Sequence, residues 1–352
     1  MKRPDLSAVP AHILAYINTL EEENRILRSI ERTTTESDKQ PSTAPAQSFA
    51  EPPTTINLIS ANSDGIAKRT PRHLYQRQRR GGMGIYDIDL PTSQPPSILV
   101  LADQNTTLLA ITETAKVHRL NMNHITETEI RARGASIIEK AKIPESKRIA
   151  VLLPMRAEGY LTILSQSGMV RRIRHHVFGE YMKPGTPLYD QSVFGPVADA
   201  CWTDSESDLF IASDSGRATR FPEKKVPPQG CQGIRLSDGE TAVAIAAVYN
   251  DSNVFLVGRD GKGTIRSMVG FQANKNPGAA GKIALRTNHL ISAKNADQAS
   301  DIFIISTHSK LIRFSAQEVP VKEGVVQGVI CVALRGDEVR AVVIDQKSRW
   351  SA

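Results

Sequence analysis

The strongest constraint on the fold of this chain is a pattern that recurs six times after residue 56, at intervals of about 50 residues. Each copy reads as an apolar strand, a polar turn and a second strand: NLISANSDGIAKRT (57–70), LLAITETAKVHRL (108–120), LTILSQSGMVRRI (161–173), LFIASDSGRATRF (209–221), VFLVGRDGKGTIRS (254–267) and IFIISTHSKLIRF (302–314). A second pattern recurs at similar spacing: GCQGIRL (230–236), GAAGKIAL (278–285) and VVQGVICVAL (325–334). Repeats of this length with several short strands are typical of propeller blades.

Six such repeats predict an all-β fold, a six-bladed β-propeller or β-pinwheel over residues 56–352. A closed ring of blades leaves no open sheet edge, which protects an all-β chain from pairing with other chains. Helical solenoids have similar periods. These repeats, however, are bounded by Gly, Pro and Asp and are rich in Val and Ile, so strands are favoured over helices.

The residues before the repeats have a different composition. Residues 10–31 predict a short N-terminal α-helix, and its apolar positions alternate at three and four residues, with Asn at one of them: Ile13, Ile17, Leu20, Asn24 and Leu27. This seam could pair two chains as a short coiled coil, or the helix could dock on its own domain or on a partner. Residues 33–55 contain no Leu, Ile, Val or Met, which predicts a disordered linker. The expected domains are therefore 1–32, 33–55 and 56–352.

The positive charge of the chain is concentrated in one stretch. The formal net charge is +7, and the segment from Gly65 to Arg80 contains no acid but six basic residues: Lys68, Arg69, Arg72, Arg77, Arg79 and Arg80. A basic cluster of this kind favours a polyanionic partner such as nucleic acid.

Other features of the sequence indicate the cellular compartment and the kinds of site to expect. The three cysteines are widely separated, which is typical of a reducing compartment, and no signal peptide or apolar run of spanning length is present. A soluble, cytoplasmic protein without membrane contact is therefore expected. Neither a metal-binding cluster nor a phosphate-binding glycine loop is visible, so no catalytic residue, metal or cofactor is predicted.

The stretch LISANSDGIAKRTPRHLYQRQRRGGMG (58–84) resembles the start of the DNA gyrase A C-terminal domain. In that family a strand of the GYVKR type, here Gly65 to Arg69, leads to a tyrosine, here Tyr75, and then to the gyrase A box. The matching box residues are Gln78, Arg79, Arg80, Gly81, Gly82 and Gly84. Met83 stands where the family usually has a basic residue. The repeats extend the resemblance to about residue 345.

The resemblance implies a pinwheel in which neighbouring blades exchange strands and a basic outer edge wraps duplex DNA with little sequence preference. It also implies a place in the bacterial nucleoid and a possible association with type II topoisomerase subunits. None of the seven tyrosines has the Arg-Thr flank of the gyrase cleavage tyrosine. The expectation is therefore a free-standing, non-catalytic wrapping protein that influences DNA topology.

The candidate DNA contacts form three groups. The first is the box together with its basic neighbours Lys68, Arg69, Arg72 and Arg77. The second is one arginine in each repeat, four residues after the turn positions Gly65, Ala115, Gly168, Gly216, Lys262 and Ser309: Arg69, Arg119, Arg172, Arg220, Arg266 and Arg313. The third is a patch of Arg171, Arg172 and Arg174.

Two alternatives stay open. The repeated arginines could instead pair with carboxylates of a neighbouring blade and set the geometry of the ring. The whole propeller could likewise be a protein-interaction module that docks on a type II topoisomerase or another partner without wrapping DNA.

Overall fold

The computed structural model describes residues 51–144 and 147–346. All of these belong to one compact unit, Ala50–Ala352. The predicted N-terminal helix with its coiled-coil seam lies outside the described residues, and so do residues 33–50 of the predicted linker.

Each predicted strand–turn–strand repeat forms an antiparallel hairpin, which confirms six repeats. The six hairpins are β1 (Ile56–Ala61) with β2 (Ile66–Pro71), β6 (Thr107–Thr112) with β7 (Lys116–Asn121), β11 (Tyr160–Ser165) with β12 (Met169–Arg174), β15 (Asp208–Ser213) with β16 (Arg217–Pro222), β19 (Asn253–Gly258) with β20 (Lys262–Ser267), and β23 (Asp301–Ser306) with β24 (Lys310–Ser315). Each hairpin is the centre of one blade, and the blades are numbered 1 to 6 in this order.

An inner strand completes each blade on the side of the central axis. The inner strands are β5 (Ile98–Asp103), β10 (Ile149–Pro154), β14 (Val197–Thr203), β18 (Ala242–Val248), β22 (Leu290–Asn295) and β27 (Val339–Asp345). Neighbouring inner strands contact one another around the whole ring, including β27 against β5. The predicted all-β, six-bladed propeller is therefore confirmed.

The outermost strand of each blade comes from the next repeat along the chain. These short strands are β9 (Ala135–Ser136) on blade 1, β13 (Thr186–Pro187) on blade 2, β17 (Cys231–Gln232) on blade 3, β21 (Lys282–Ile283) on blade 4, β25 (Val321–Lys322) and β26 (Val329–Ile330) on blade 5, and β3 (Ile85–Tyr86) on blade 6. Strand β3 belongs to the first repeat and pairs with β24 of the last, so it closes the ring. Outside the blades, β4 (Ile88–Asp89) pairs in parallel with β8 (Ala132–Arg133).

The segment that carries the chain from one blade to the outer edge of the preceding blade is here called a crossover. The six crossovers are residues 72–84, 122–134, 175–185, 223–230, 268–281 and 316–328. Five of them begin with a short 3₁₀ turn: Arg72–Leu74, Met122–His124, His175–Phe178, Glu223–Lys225 and Ala316–Glu318. A single-turn helix, α1 (Gln191–Phe194), follows the third crossover. Because every crossover ends on an outermost strand, the six are distributed around the outer edge of the ring.

The core is divided among the six interfaces between adjacent blades. Successive side chains of a strand point to opposite faces of the sheet, so Leu58 packs toward blade 6 while Ile59 packs toward blade 2. The middle strands are therefore buried on both faces, which explains their almost uninterrupted apolar sequences.

Residues 51–55, which the sequence assigns to the linker, contact the propeller. Glu51 forms ion pairs with Arg72 and with Arg313. The Thr55 hydroxyl donates a hydrogen bond to the Asp103 carboxylate at 2.5 Å. These polar contacts anchor residues 51–55 to blades 1 and 6, although the segment lacks the large aliphatic side chains by which a domain is recognised in a sequence. Among the described residues no helix is long and apolar enough to cross a membrane.

Candidate nucleic-acid interface

The box segment, residues 78–84, lies on the first crossover at the seam where the ring closes. The Gln78 amide donates to the Arg313 carbonyl at 2.7 Å, and the Gly81 amide donates to the Cys331 carbonyl at 2.8 Å. The Gly82 carbonyl accepts from the Ala333 amide at 3.0 Å. Backbone pairing on both sides therefore fixes the segment against blades 5 and 6.

The box glycines are needed for this close approach. Gly84 has a φ of +71°, and a Cβ on it would lie 2.6 Å from the Leu311 carbonyl oxygen. The amides of Gly81 and Gly82 already donate within the protein, to Cys331 and Arg79. These two amides are therefore not free to donate to a phosphate.

The two box arginines have different surroundings. Arg80 reaches the sixth crossover and the outer strand β26, donating from Nε to the Glu318 carbonyl at 2.8 Å and from Nη1 to the Ile330 carbonyl at 3.0 Å. Arg79 is exposed and has no partner among the described residues. Gln78 is half-buried, whereas Met83 is exposed. Arg79 is therefore the box side chain that is most available to an anion.

A buried polar network fixes both ends of the box segment to blade 1. The Asp87 carboxylate accepts from the hydroxyl groups of Ser60 and Tyr75, at 2.5 and 2.6 Å, and lies 2.8 Å from the Lys68 Nζ. Burial lowers the pKa of Lys68, and the Asp87 carboxylate opposes that shift. Burial and the same carboxylate raise the pKa of Tyr75 well above its usual value, so its hydroxyl stays a donor. Lys68 is 1% exposed, which corrects its prediction as a DNA contact.

The remaining cations of the basic cluster are largely neutralised. Arg69 lies 2.6 Å from the Glu127 carboxylate, Arg72 pairs with Glu51 and Asp345, and Arg77 lies 2.9 Å from the Asp301 carboxylate. The net charge in the sequence therefore overstates the positive field at this seam. Arg69 and Arg72 are half-buried and paired with carboxylates, whereas Arg77 keeps nearly half of its side chain exposed.

The repeated arginines of blades 4 and 6 lie inside the protein. Arg220 is 2% exposed and donates to the Asp208 carboxylate at 2.8 Å and to the carbonyls of Met268 and Phe271 at 2.9 and 3.2 Å. Arg313 lies 2.6 Å from the Asp301 carboxylate and donates to the Tyr75 carbonyl at 2.8 Å.

Both arginines hold the crossover that arrives from the next repeat. A phosphate could not reach either guanidinium without opening a blade, so the prediction that Arg220 and Arg313 contact DNA is corrected. Asp208 and Asp301 lie in the same blade as their arginines, not in a neighbouring blade as the structural alternative expected, and the contacts to the crossover are made with carbonyl groups.

The repeated arginines differ in the residue that lies diagonally across from them on the neighbouring strand of the hairpin. In the hairpin register Asp208 and Asp301 lie diagonally across from Arg220 and Arg313, on the same face, where side chains of opposite charge can pair. In blade 3 the equivalent residue is Tyr160, and the Arg172 guanidinium lies 4.8 Å from its ring centre.

Arg172 and Arg119, which share this register with Arg69, have weaker anchors or none. Arg172 also lies 3.4 Å from the Glu223 carboxylate of the fourth crossover. In blade 2 the diagonal residue is Thr107, and the half-buried Arg119 has no partner among the described residues.

Arg266 departs from the predicted spacing. The left-handed residue of the fifth turn is Gly261, with a φ of +77°, rather than Lys262. Ile265 therefore occupies the register of the other arginines, and Arg266 lies one position later, on the opposite face of β20. Arg266 is 4% exposed, its Nε and Nη1 lack hydrogen-bond partners among the described residues, and burial lowers its pKa. Its prediction as a surface contact is corrected.

The third predicted group keeps two accessible cations. Arg174 is exposed, with its guanidinium 5.8 Å from the Tyr160 ring centre, and Arg171 is half-buried. Sequence reasoning missed the exposed cations that the other crossovers place on the outer edge: Arg131, Arg133, Lys183, Lys224, Lys225, Lys275 and Lys322. In the sequence these residues are marked only by their position between hairpins. The exchange of strands, which is not visible in the sequence, brings those segments to the outer edge.

Across residues 51–144 and 147–346, no group of three His, Cys, Asp or Glu residues lies close enough together to hold a metal ion.

Comparison with known proteins shows what the repeats are similar to. A family model for the DNA gyrase C-terminal domain, β-propeller, matches residues 57–91, 207–248 and 300–344, which fall in the first, fourth and sixth repeats. The DNA gyrase A protein of Ureaplasma parvum is 24% identical over 82% of this chain and 36% of its own length. That of Chlamydia muridarum is 27% identical over 81% and 36%, and that of Escherichia coli 22% over 80% and 33%. The chain thus spans about a third of the length of these relatives.

Solved structures agree on the fold. A DNA gyrase A C-terminal domain superposes with a TM-score of 0.72 at 19% identity, covering 82% of this chain and 98% of that domain. The C-terminal domain of a DNA topoisomerase IV gives a TM-score of 0.59 at 18% identity, covering 83% and 93%. With the box, the six repeats and the exchanged strands in place, the protein is similar in sequence and in fold to the DNA gyrase C-terminal domain family of β-propellers.

Proposed function

We propose that the protein binds duplex DNA through its phosphate backbone along the outer edge of the propeller and bends the duplex into a wrap. The observation that carries this proposal is the position of Arg79, an exposed and unpaired guanidinium on a segment that backbone hydrogen bonds hold rigidly at the outer edge. The similarity to DNA gyrase C-terminal domains supports the same assignment.

The arrangement of the crossovers suits a curved path. Bending a few tens of base pairs costs on the order of several kcal/mol, so a wrap requires many phosphate contacts rather than one strong contact. Exposed cations on successive crossovers, such as Arg131, Lys183 and Lys224, provide such contacts around the ring. Phosphate contacts carry no base information, so we expect binding to be strongly salt-dependent and largely independent of sequence.

In this proposal the protein changes DNA topology by stabilising a wrap and does not cleave the strand itself. It would act on the bacterial nucleoid, alone or alongside the subunits of a type II topoisomerase.

A plasmid relaxation experiment tests wrapping directly. A plasmid is relaxed by topoisomerase I with increasing protein, the protein is removed, and the topoisomers are resolved on a gel. We expect a protein-dependent change in linking number that Arg79→Gln reduces strongly and the matched exposed control Arg335→Gln does not. Bound DNA without any change in linking number would contradict wrapping, and absence of binding at low salt would contradict the whole proposal.

One observation favours a protein-interaction module as the second candidate. Met83 of the box is 45% exposed, and Ile330, whose carbonyl accepts from Arg80, is 54% exposed, so the seam presents apolar side chains within and against the box segment. Exposed apolar side chains next to a cation are typical of protein contacts. Met83→Lys separates the two functions, because it should strengthen DNA binding and weaken docking of a topoisomerase partner. Tighter binding to both would contradict the second candidate.

A further inference from the structure

We infer that a recess between blades 2 and 3 is a phosphate-binding site separate from the box. The recess has a volume of about 600 Å³. Lys116 and Lys147 line it from blade 2, Arg171 lines it from blade 3, and Tyr189 forms part of its wall.

Arg171 is held in place without losing its charge. Its Nη1 donates to the Leu188 carbonyl at 2.9 Å and its Nε to the Pro228 carbonyl at 3.2 Å. Both acceptors are neutral, so the guanidinium is fixed but not neutralised. Arg220 and Arg313, by contrast, have carboxylate partners. A fixed cation of this kind suits a tetrahedral anion, because little ordering of the side chain remains to be done on binding.

The two lysines add charge that no neighbouring acid compensates. Within the described part of the chain, neither Lys116 nor Lys147 forms an ion pair. The carboxylate that lines the recess, Asp190, is already engaged: its Oδ1 accepts from the Ser192 amide at 2.9 Å and from the Ser192 hydroxyl at 2.7 Å, at the start of α1. Three cations therefore face one carboxylate that has other partners.

A buried donor in the wall lacks an acceptor. The Tyr189 hydroxyl is buried and has no hydrogen-bond partner among the described residues, while its ring stacks on Phe194 with centres 4.8 Å apart. Burial raises the pKa of Tyr189, so the hydroxyl remains a donor. An unsatisfied buried hydroxyl is costly unless something accepts its proton. Cations and an orphaned donor around one recess indicate a ligand that is anionic and accepts hydrogen bonds.

A phosphate group fits this chemistry and has two possible sources. One is a backbone phosphate of duplex DNA, a version that rests on the proposed function. The other is a free phosphate or pyrophosphate. The two sources are distinguished by testing each ligand on the same set of variants.

The test variants remove charge or the hydroxyl without touching a structural contact. Lys116→Gln with Lys147→Gln removes two cations that have no described partner, and Tyr189→Phe removes only the hydroxyl. Arg156→Gln with Arg335→Gln is the matched control, since both residues are exposed, have no described partner and lie outside the recess and the crossovers.

The first arm uses pyrophosphate and follows its ³¹P resonance at constant ionic strength. We expect saturable binding that weakens at least tenfold in the double lysine variant and several-fold in Tyr189→Phe, with the control unchanged. The second arm measures DNA affinity against salt concentration. If DNA supplies the phosphate, the double lysine variant should lower the slope of log K against log salt by about 1 to 2 relative to the control.

The outcomes separate the two proposals. Loss of DNA affinity with the reduced slope assigns the recess to DNA, whereas pyrophosphate binding with an unchanged slope assigns it to a free phosphate. If wild-type protein binds no DNA, the proposed function fails, and the pyrophosphate arm alone decides whether the recess binds a phosphate group. Absence of saturable pyrophosphate binding, together with a salt slope equal to that of the control, overturns the site.

Discussion

Blades 4 and 5 are adjacent and are built on the same type of hairpin, yet their buried arginines differ in hydrogen bonding. In blade 4 Arg220 is buried with every nitrogen engaged and with Asp208 beside it. In blade 5 Arg266 is buried to a similar degree but has two nitrogens without acceptors. The difference arises from a shift of one position after the turn, which moves Arg266 to the other face of its strand.

The comparison shows that regular spacing of a residue type does not establish a common role. An arginine in a strand becomes a structural anchor where an acid lies diagonally across from it and a crossover carbonyl lies within reach. Without that acid it stays half-buried: Arg172 finds an acid on a crossover, whereas the Arg119 side chain has no partner among the described residues. On a crossover an arginine can be exposed and without a described side-chain partner, as Arg79 is. Four substitutions test this comparison through the stability of the fold.

The largest effect is expected for Arg220→Met. The substitution leaves Asp208, Asn250 and two crossover carbonyls without their donor, which should cost about 3 to 5 kcal/mol of unfolding free energy. Urea denaturation measures the loss. Adding Asp208→Leu should recover part of it, because the unpaired acid is then gone as well. A loss below about 1 kcal/mol for the single variant would show that Arg220 is not an anchor.

The second effect concerns Glu240, which organises the start of β16. Burial acts to raise the pKa of Glu240, but hydrogen bonds from Arg217, Ser213 and Ser215 outweigh it and lower the pKa from 4.5 to about 2. A lowered carboxyl pKa contributes stability that is complete above pH 4.5 and is lost as the pH falls toward 2. We expect this acid-dependent part to amount to about 2 to 3 kcal/mol.

Acid titration of unfolding stability measures that contribution. Glu240→Gln should remove the pH dependence between pH 4.5 and 2 that belongs to this group. Blade 5 supplies the control: Lys262 follows the turn glycine as Arg217 does in blade 4, but it pairs with Asp260 of the turn at 3.4 Å, and both side chains are about half exposed. Asp260→Asn should leave the acid profile nearly unchanged, and equal effects of the two variants would contradict the assignment.

The third substitution, Arg266→Met, is not expected to lower the free energy of unfolding. Arg266→Met removes a buried cation with two unsatisfied nitrogens and keeps its apolar contact with the Phe271 ring, whose centre lies 5.7 Å from the guanidinium carbon. We expect no loss of stability, and a gain of up to about 1 kcal/mol, in the urea experiment used for blade 4. A loss as large as that of Arg220→Met would reveal a partner for Arg266 and remove the contrast between the blades.

The smallest effect on stability is expected for Arg79→Gln. An exposed side chain without partners should change the unfolding free energy by no more than about 0.5 kcal/mol, while DNA affinity falls. Arg80→Gln is the companion, since it loses two hydrogen bonds to carbonyl groups and should destabilise the seam by about 1 to 2 kcal/mol. Equal loss of stability in both variants would mean that Arg79 is also a structural residue.

The sequence predicts the six hairpins well because each carries two physical signals at once. The middle strands, such as LLAIT in β6, are apolar because both faces are buried, and each pair is interrupted by a short polar turn. Such local signals do not depend on the rest of the fold. The count of blades and the closed ring follow from them directly.

The exchange of strands, and which arginines are buried or paired with acids, could not be predicted in the same way. Outer strands such as β3 and β13 are two residues long and show no periodicity, so only the tertiary pairing defines them. A signal for the buried arginines was present but not recognised: Asp208 and Asp301 begin the two strands whose partners carry the buried Arg220 and Arg313. The neutralisation of Arg72 and Arg77 involves acids of another blade, which no local pattern reveals.

The closure of the ring by β3 has a consequence for the order of events during synthesis. Arg80 and Ile330, which meet at the seam, are 250 residues apart in the chain. A ribosome completes the first repeat long before the last, so the box segment emerges without the strands that later hold it. Contacts between such distant residues form late in folding. A nascent chain would therefore gain its ordered box only as a final step, after the sixth repeat has folded.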